Sequence, residues 1–342
     1  MPIKPKPLSI GILSTADIAR QFCDGNRRNS ELQISAVASR TLPRAQSFAK
    51  RHSIAKAYGT YDELLQDHSI EAVYIPLPNH MHAEWAIKAA QHGKHVLCEK
   101  PLSLSVDQAQ AMFAAAQQHG VILLEGYPYW FQPHMRELLQ LAHGGAIGRV
   151  VGLEARFSFS LMKPGDNIRV QPDMGGGAMW DLGCYVVSLS RLLMGDMPQR
   201  VMATAVWSGD DAARNVDMSM LMSLEFSGGR SAQLNCAMNK NYERCATVFG
   251  SHGLIETGFP HHSSRKDPGV LRLWRGAVNM APCEDIAVAT GDGFLFEAQA
   301  FTDLVRRRDF AAMAQAQAAS LDIVRTLSAV AASARTGQAV LL

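Results

Sequence analysis

Three side chains in this sequence have the types and spacing to move a proton at a carbon–oxygen bond. The run Val96-Leu-Cys-Glu99-Lys100-Pro101 ends an apolar stretch with two opposite charges and a proline. An ammonium group at such a point polarises a substrate oxygen and lowers the pKa of a proton donor beside it. Further along, Pro172-Asp-Met-Gly175-Gly-Gly177-Ala-Met-Trp-Asp181-Leu-Gly-Cys-Tyr185 reads as a glycine turn feeding a helix. Asp181 and Tyr185 stand at i and i+4 on that helix, so a carboxylate and a phenol address one small volume. A free tyrosine titrates near ~10, and acid/base work at neutral pH calls for a cationic neighbour. Lys100 is the candidate for that neighbour. Taken singly, a Glu–Lys pair is an ordinary surface feature, and an i, i+4 Asp/Tyr pair is ordinary helix surface.

A second group of residues has the chemistry of a dinucleotide site. In Leu8-Ser-Ile-Gly11-Ile-Leu-Ser14-Thr15-Ala16-Asp-Ile18-Ala, a glycine ends a strand and a helix begins at Ala16. Such a turn lets backbone N–H groups at a helix N-terminus meet a pyrophosphate. Gly11 and Ala16 hold the first and third positions of the G-x-G-x-x-G/A fingerprint, while Leu13 departs from the second and Ser14 offers a hydroxyl. The second strand ends Val37-Ala-Ser39-Arg40-Thr41, with Arg44 one helical turn on. A carboxylate there would bond the adenosine ribose and repel a 2′-phosphate. Ser39, Arg40 and Arg44 instead favour NADP(H) over NAD(H). The segment Ile75-Pro76-Leu77-Pro-Asn79-His80-Met-His82 gives a stiff backbone at the carboxyl end of another buried strand. Pro76, Leu77, Asn79 and His82 are therefore expected beside the cofactor. His80 and His82 lack acidic partners, so capping or nucleotide contact is expected of them, and no metal site is.

The elements that must position these groups are legible in outline. Leu8–Leu13, Leu32–Ala38, Ile70–Ile75, His95–Cys98 and Val121–Glu125 are apolar runs separated by helical stretches. Alternation of that kind predicts an α/β fold whose N-terminal part is a doubly wound, parallel Rossmann sheet. After Glu125 the texture changes. A helix at Pro133–His143, a long strand at Val150–Phe159 and a Gly/Pro-rich loop at Lys163–Gly177 lead into a helix at Ala178–Leu193. Strands are expected at Val201–Trp207, Met218–Phe226, Ser231–Ala237 and Ala246–Phe249, and helices at Phe294–Arg307 and Ala316–Arg335. These predict a C-terminal α+β domain on an open, mostly antiparallel sheet. The expected domains are 1–126 for the dinucleotide and 127–342 for substrate and oligomerisation, with the final helices free to pack back on the first domain.

Composition excludes several function classes. With 342 residues, 47% hydrophobic and 19% charged, the chain has the make-up of a packed two-domain enzyme. A formal net charge of +2 leaves no concentrated basic surface for nucleic acid or anionic membrane. No apolar run reaches the length of a bilayer span or a signal peptide, so the expected location is cytoplasmic. The six cysteines form no C-x-x-C pair and are expected to be buried thiols rather than zinc ligands or disulfides.

In combination, Gly11-Ile-Leu-Ser-Thr-Ala16, Glu99-Lys-Pro101, Gly175-Gly-Gly-Ala-Met-Trp-Asp-Leu-Gly-Cys-Tyr185, Asn167-Ile-Arg169 and Ser333-Ala-Arg-Thr-Gly337 resemble the glucose–fructose oxidoreductase/inositol dehydrogenase (Gfo/Idh/MocA) family. The nearest resemblance is to its branch of NADP-dependent xylose dehydrogenases, dimeric dihydrodiol dehydrogenases and glucose–fructose oxidoreductase. The resemblance implies Lys100 as catalytic lysine, Tyr185 as general acid/base and Asp181 as the carboxylate that orients substrate hydroxyls. It adds Thr15, Ile18, Glu99 and Arg169 to the cofactor side, and Phe157 and Asn167 to the substrate side. The implied reaction is hydride transfer at a CH–OH or C=O carbon of a sugar-like substrate, in a homodimer or higher homo-oligomer. Tyr127-Pro-Tyr129-Trp130-Phe131-Gln132-Pro133-His134 departs from the branch, with Trp130 in place of an arginine. Tyr127 and Trp130 are candidates to stack on a sugar or aromatic face, although inter-domain packing accounts for such aromatics equally well. The alternatives are a trans-dihydrodiol dehydrogenase, a redox-neutral enzyme with tightly bound nucleotide, and a non-catalytic nucleotide-sensing regulator.

Overall fold

The computed structural model describes residues 6–162, 165, 167–211, 215–258, 269–276 and 281–342. Within the expected Gly/Pro-rich loop, Lys163, Pro164 and Asp166 lie outside the described residues. The chain divides into two compact units.

The first unit comprises Met1–Ser103, Asp107–Pro128 and Asp292–Ser320. Its strands are β1 (Leu8–Leu13), β2 (Leu32–Ala38), β3 (Lys56–Tyr58), β4 (Ala72–Ile75), β5 (His95–Glu99) and β6 (Leu123–Gly126). They form one parallel sheet in the order β3-β2-β1-β4-β5-β6, the doubly wound arrangement of a Rossmann fold. Every residue of β1 and β4 is buried, which is why these strands read as unbroken apolar runs rather than alternating ones. The connecting helices are α1 (Asp17–Asn26), α2 (Leu42–His52), α3 (Tyr61–Gln66), α4 (His82–Gln91) and α5 (Val106–Gln118). Proline in the first turn of α2 and Ser53 in the left-handed conformation after it mark that helix's two ends. The short β3 and α3 are additional to the elements expected from the sequence. At α3 the Thr60 hydroxyl accepts the Glu63 N–H, and the Glu63 carboxylate accepts the Gly59 N–H. A later helix, α8 (Gly293–Arg307), also belongs to this unit, and the Asn26 amide donates to its Phe294 carbonyl.

The second unit comprises Leu104–Val106, Tyr129–Gly291 and Leu321–Leu342. Two helices, α6 (Pro133–His143) and α7 (Cys184–Met194), accompany β7 (Val150–Ser160), β8 (Arg200–Trp207), β9 (Asp217–Phe226), β10 (Arg230–Ala237), β11 (Asn239–Gly250), β12 (Gly253–Thr257), β13 (Gly269–Arg275), β14 (Cys283–Val288) and β15 (Val340–Leu341). The sheet order is β14-β13-β12-β11-β7-β10-β9-β8-β15. Among the described residues of this sheet, only β7 and β10 run parallel. One face is buried and one open: on β9, Met220, Met222 and Leu224 are buried while Leu221 is 55% exposed. The helix α7 packs on the buried face against β7 and β10. The last helix, α9 (Phe310–Thr336), contributes its first part to the first unit and its remainder, from Leu321, to the second.

Three expectations are corrected here. β11 runs from Asn239, not Ala246, because its polar first half carries no apolar periodicity. β12 to β14 had no separate sequence signal. The thiols are not uniformly buried: Cys245 is half-buried and Cys283 exposed, although all six are free. Among the described residues no helix is long and apolar enough to cross a membrane, and no cluster of three potential metal ligands occurs.

Candidate active site

In the first unit the expected nucleotide-binding residues gather at the carboxyl ends of the parallel strands. Gly11 lies in β1 with no room for a side chain, since a Cβ would stand 2.6 Å from Leu64 of α3. The Ser14 hydroxyl accepts the Ala16 N–H at 3.0 Å, tightening the turn into α1. No side-chain hydrogen bond caps α1 at Ala16, and a helix N-terminus of this kind is where backbone amides receive an anion. Ser39 follows β2 with its N–H bonded to the Tyr58 carbonyl, and Arg40 and Arg44 are exposed beside it. Both guanidinium groups act on the Tyr61 phenol, which places their charges together. Helix amides, a hydroxyl and two arginines, with no carboxylate at the end of β2, form a donor set that fits a phosphorylated dinucleotide.

Lys100, half-buried, follows β5 directly. The chain around it is fastened by side chains. Glu99 accepts the Tyr74 hydroxyl at 2.6 Å and the Lys100 N–H at 3.2 Å. The next peptide, Lys100–Pro101, is cis. His82 Nδ1 lies 2.8 Å from the Pro101 carbonyl, and its Nε2 lies 2.9 Å from the Leu77 carbonyl. Glu125 accepts the Leu102 N–H at 2.8 Å. Burial pushes the Glu125 carboxyl up to about 7, against hydrogen bonds from Ser320, Leu102 and Tyr127 that pull it back. Glu297 of α8 is fully buried as well, and neither carboxyl oxygen has a hydrogen-bond partner. Burial first, then the Glu99 charge, raises it well above the ordinary carboxylate range.

In the second unit the expected helix begins with a π-helical turn, Met179–Gly183, that runs into α7. Such widened turns often mark functional sites. Asp181 and Tyr185 stay on one side of it, because both act on the same guanidinium. That guanidinium belongs to Arg169, whose Nε donates to Asp181 Oδ2 at 2.6 Å. Asn167 accepts the Arg169 N–H at 3.0 Å and so fixes the start of this segment. Tyr185 is buried, with the Phe157 ring edge-on at 5.0 Å and Tyr129 at 5.7 Å. Its backbone carbonyl accepts from Tyr129 and Ser188. At the helix entrance the Asp217 carboxylate accepts the Met179 N–H at 2.7 Å. This cap explains the glycines: a Cβ on Gly177, held at φ +115, would overlap Asp217 Oδ1.

Four of the residues expected at ligand contacts are buried. His82 is fully enclosed with both ring nitrogens on backbone carbonyls, so its side chain braces the chain at Pro101. The Glu99 carboxylate turns inward to Tyr74. Tyr127 is fully buried and bonds Glu125, and Phe157 is packed beneath Tyr185. Of the expected aromatic contacts, Trp130 alone remains partly exposed, edge-on to Tyr129. Pro76 and Leu77 are buried and Asn79 opens a 3-10 turn, so their backbones form the rim after β4. Asp217, Glu125, Glu297 and Arg244 carried no motif. A charge within an apolar stretch, as in Phe294-Leu-Phe-Glu297-Ala, was the only trace in the sequence of the first three.

Comparison with known proteins gives a consistent picture. Residues 8–127 match the model of an oxidoreductase family with an NAD-binding Rossmann fold, and residues 135–256 match the GFO/IDH/MocA C-terminal domain. The chain is 35% identical over 338 residues to a D-xylose 1-dehydrogenase (NADP(+)) of Haloferax volcanii, covering 97% of this chain and 99% of that one. It is 34% identical to a trans-1,2-dihydrobenzene-1,2-diol dehydrogenase of Danio rerio over 72% of this chain and 73% of the relative. Among solved structures, a 3-ketoreductase from Actinomadura kijaniata in complex with NADP and TDP-benzene superposes with a TM-score of 0.87 at 29% identity, covering 96% of this chain and 98% of that one.

Proposed function

The chain belongs to the GFO/IDH/MocA oxidoreductase family, and on that premise we propose that it interconverts an alcohol and a carbonyl on a sugar or sugar-like polyol with NADP(H). The observation that carries the reading is the grouping of Asp181, on the widened turn that opens α7, and Tyr185, in the first turn of α7, around the guanidinium of Arg169 from the preceding segment. Bound NADP(H) would supply or accept the hydride. Tyr185 takes the hydroxyl proton in the oxidative direction and returns it in the reductive one. The Lys100 ammonium offsets the negative charge that grows on oxygen as that proton moves. Asp181, steadied by Arg169, accepts hydrogen bonds from neighbouring substrate hydroxyls. The first turn of α1 and the Gly11–Ala16 segment would hold the pyrophosphate, and Ser39, Arg40 and Arg44 would hold the 2′-phosphate.

The xylose dehydrogenase relative, with NADP in its name, and the NADP-bound ketoreductase support this cofactor choice. The open face of the nine-stranded sheet, with Val206, Leu221 and Val270 exposed, supports self-association through that face. The test is absorbance of reduced nicotinamide with purified protein, NADP⁺ or NAD⁺, and a panel of aldoses, polyols and diols. NADPH should form with one substrate class and fail to form with Lys100→Ala. A protein that copurifies with nucleotide yet gives no net NADPH on any substrate would refute the dehydrogenase reading.

A further inference from the structure

In the wall that holds Tyr185 sits a cation for which the described residues provide no anion. Arg244 lies on β11 directly opposite Phe157 of β7. Its guanidinium carbon is 4.9 Å from the centroid of the buried Phe157 ring and 4.5 Å from that of Tyr242, which is 66% exposed. The Phe157 ring in turn packs edge-on against Tyr185 at 5.0 Å. The guanidinium is therefore clasped between an inner and an outer ring, one side chain away from the proposed acid/base. Its Nε is buried and has no hydrogen-bond partner. Arginines of this unit nearby are paired: Arg169 with Asp181, and Arg156 with Glu243. Among the described residues no carboxylate pairs with Arg244, and the ionisable groups acting on it are the phenols of Tyr242 and Tyr185.

Aromatic faces hold a guanidinium in place and leave its N–H edge free for a ligand. A half-buried guanidinium that keeps its charge at neutral pH, with a donor unsatisfied, is unfavourable until an anion completes it. The matching group is a planar or tetrahedral oxyanion taken by two N–H donors. We propose that Arg244 binds an oxyanion carried by the substrate, so that the preferred sugar is acidic: a sugar carboxylate or a sugar phosphate. This rests on the oxidoreductase reading above and narrows its substrate class.

The test compares matched substrates on the full chain with NADP⁺: glucose, glucuronate and glucose 6-phosphate, with wild type, Arg244→Gln and Arg244→Lys. The expected result is a higher kcat/KM on one charged sugar than on glucose. Arg244→Gln should lose about 30–100-fold on that substrate, mainly through KM, and no more than about 3-fold on glucose. Arg244→Lys should recover part of the loss. Whether glucuronate or glucose 6-phosphate is preferred separates carboxylate from phosphate. Equal losses on charged and neutral sugars would overturn the proposal, since they would mean that Arg244 serves Tyr185 or the wall itself. So would a wild type that prefers glucose. If none of the three reduces NADP⁺, titration calorimetry with glucuronate and glucose 6-phosphate decides separately. Saturable binding lost in Arg244→Gln supports the anion site even where the dehydrogenase reading fails, and no binding to wild type refutes the site.

Discussion

Replacing Gly177 by alanine should damage the site helix far more than the same change at Gly195, at that helix's other end. Both glycines have positive φ, +115 and +68. Around Gly195 a Cβ meets nothing within 4 Å, so the substitution adds only left-handed strain, about 1 kcal/mol. At Gly177 the methyl would overlap Asp217 Oδ1, and that carboxylate also accepts the Met179 N–H at 2.7 Å. Strain of about 1–3 kcal/mol then adds to loss of a helix cap worth about 1–2 kcal/mol. Thermal unfolding of the two variants should therefore differ, with Gly177→Ala less stable by about 2 kcal/mol more. Turnover should separate them further, because a shift of about 1 Å in a positioned catalytic group loses on the order of 100-fold in rate. NADP(H) affinity should hold in both, since Gly11, Ser39, Arg40 and Arg44 belong to the other unit. Equal destabilisation by the two substitutions, or full turnover in Gly177→Ala, would refute the idea that this glycine exists to admit the Asp217 cap.

Tyr185→Phe is predicted to lower turnover by about 100- to 10,000-fold while nucleotide affinity stays within a factor of about two; unaltered turnover removes the phenol from the mechanism. Ser39→Asp places a carboxylate where the 2′-phosphate is proposed to sit, so NADPH affinity should fall much more than NADH affinity, and equal changes would undo the reading of that strand end. Asp217 gives a pH signature. Burial, the largest cause, raises its carboxyl from 3.8 to about 6 against backbone hydrogen bonds that pull it down. The folded state then holds more protons than the unfolded state between those values, so this group's contribution to stability falls as pH rises through them, by about 3 kcal/mol in total. Asp217→Asn should flatten that part of the stability–pH curve, and a slope matching wild type would exclude Asp217 as its source.

The parallel sheet was legible because its strands are covered on both faces and so carry long apolar runs. Leu8–Leu13 and Leu32–Ala38 were read to the residue. In the other sheet one face is open, and β13 alternates exposed and buried residues over a short span that the sequence does not separate from loop. The polar half of β11 has no signal at all, and it contains Arg244. Spacing alone placed Asp181 and Tyr185 on one side of a helix, even though the first turn proved to be π-helical. Burial is what spacing could not supply. His82 and Tyr127 have the chemistry of ligand contacts and sit instead in the interior, where their polar atoms serve the backbone or another side chain.

That use of polar groups follows one logic in both units. β5 cannot extend its ladder through Pro101, which lacks an N–H. The neighbouring backbone groups must find partners elsewhere or bear the penalty of burial without one. Glu99 takes the Lys100 N–H, His82 takes the Pro101 carbonyl, and Glu125 takes the Leu102 N–H. At the other helix the Met179 N–H goes to Asp217, and the Tyr185 carbonyl goes to Tyr129 and Ser188. Side chains, most of them distant in sequence, thus fix the backbone beneath Lys100 and beneath Tyr185. A buried carboxylate is a poor means of gaining stability, because an apolar residue of similar volume often does better. What it does supply is a single orientation for the group it holds. Chemistry that depends on electrostatic preorganisation gains from that orientation, since donors and charges already in place need no rearrangement as the proton moves. Glu99, Glu125 and Asp217 are therefore better understood as fixing where the reactive side chains stand than as adding to the strength of the core.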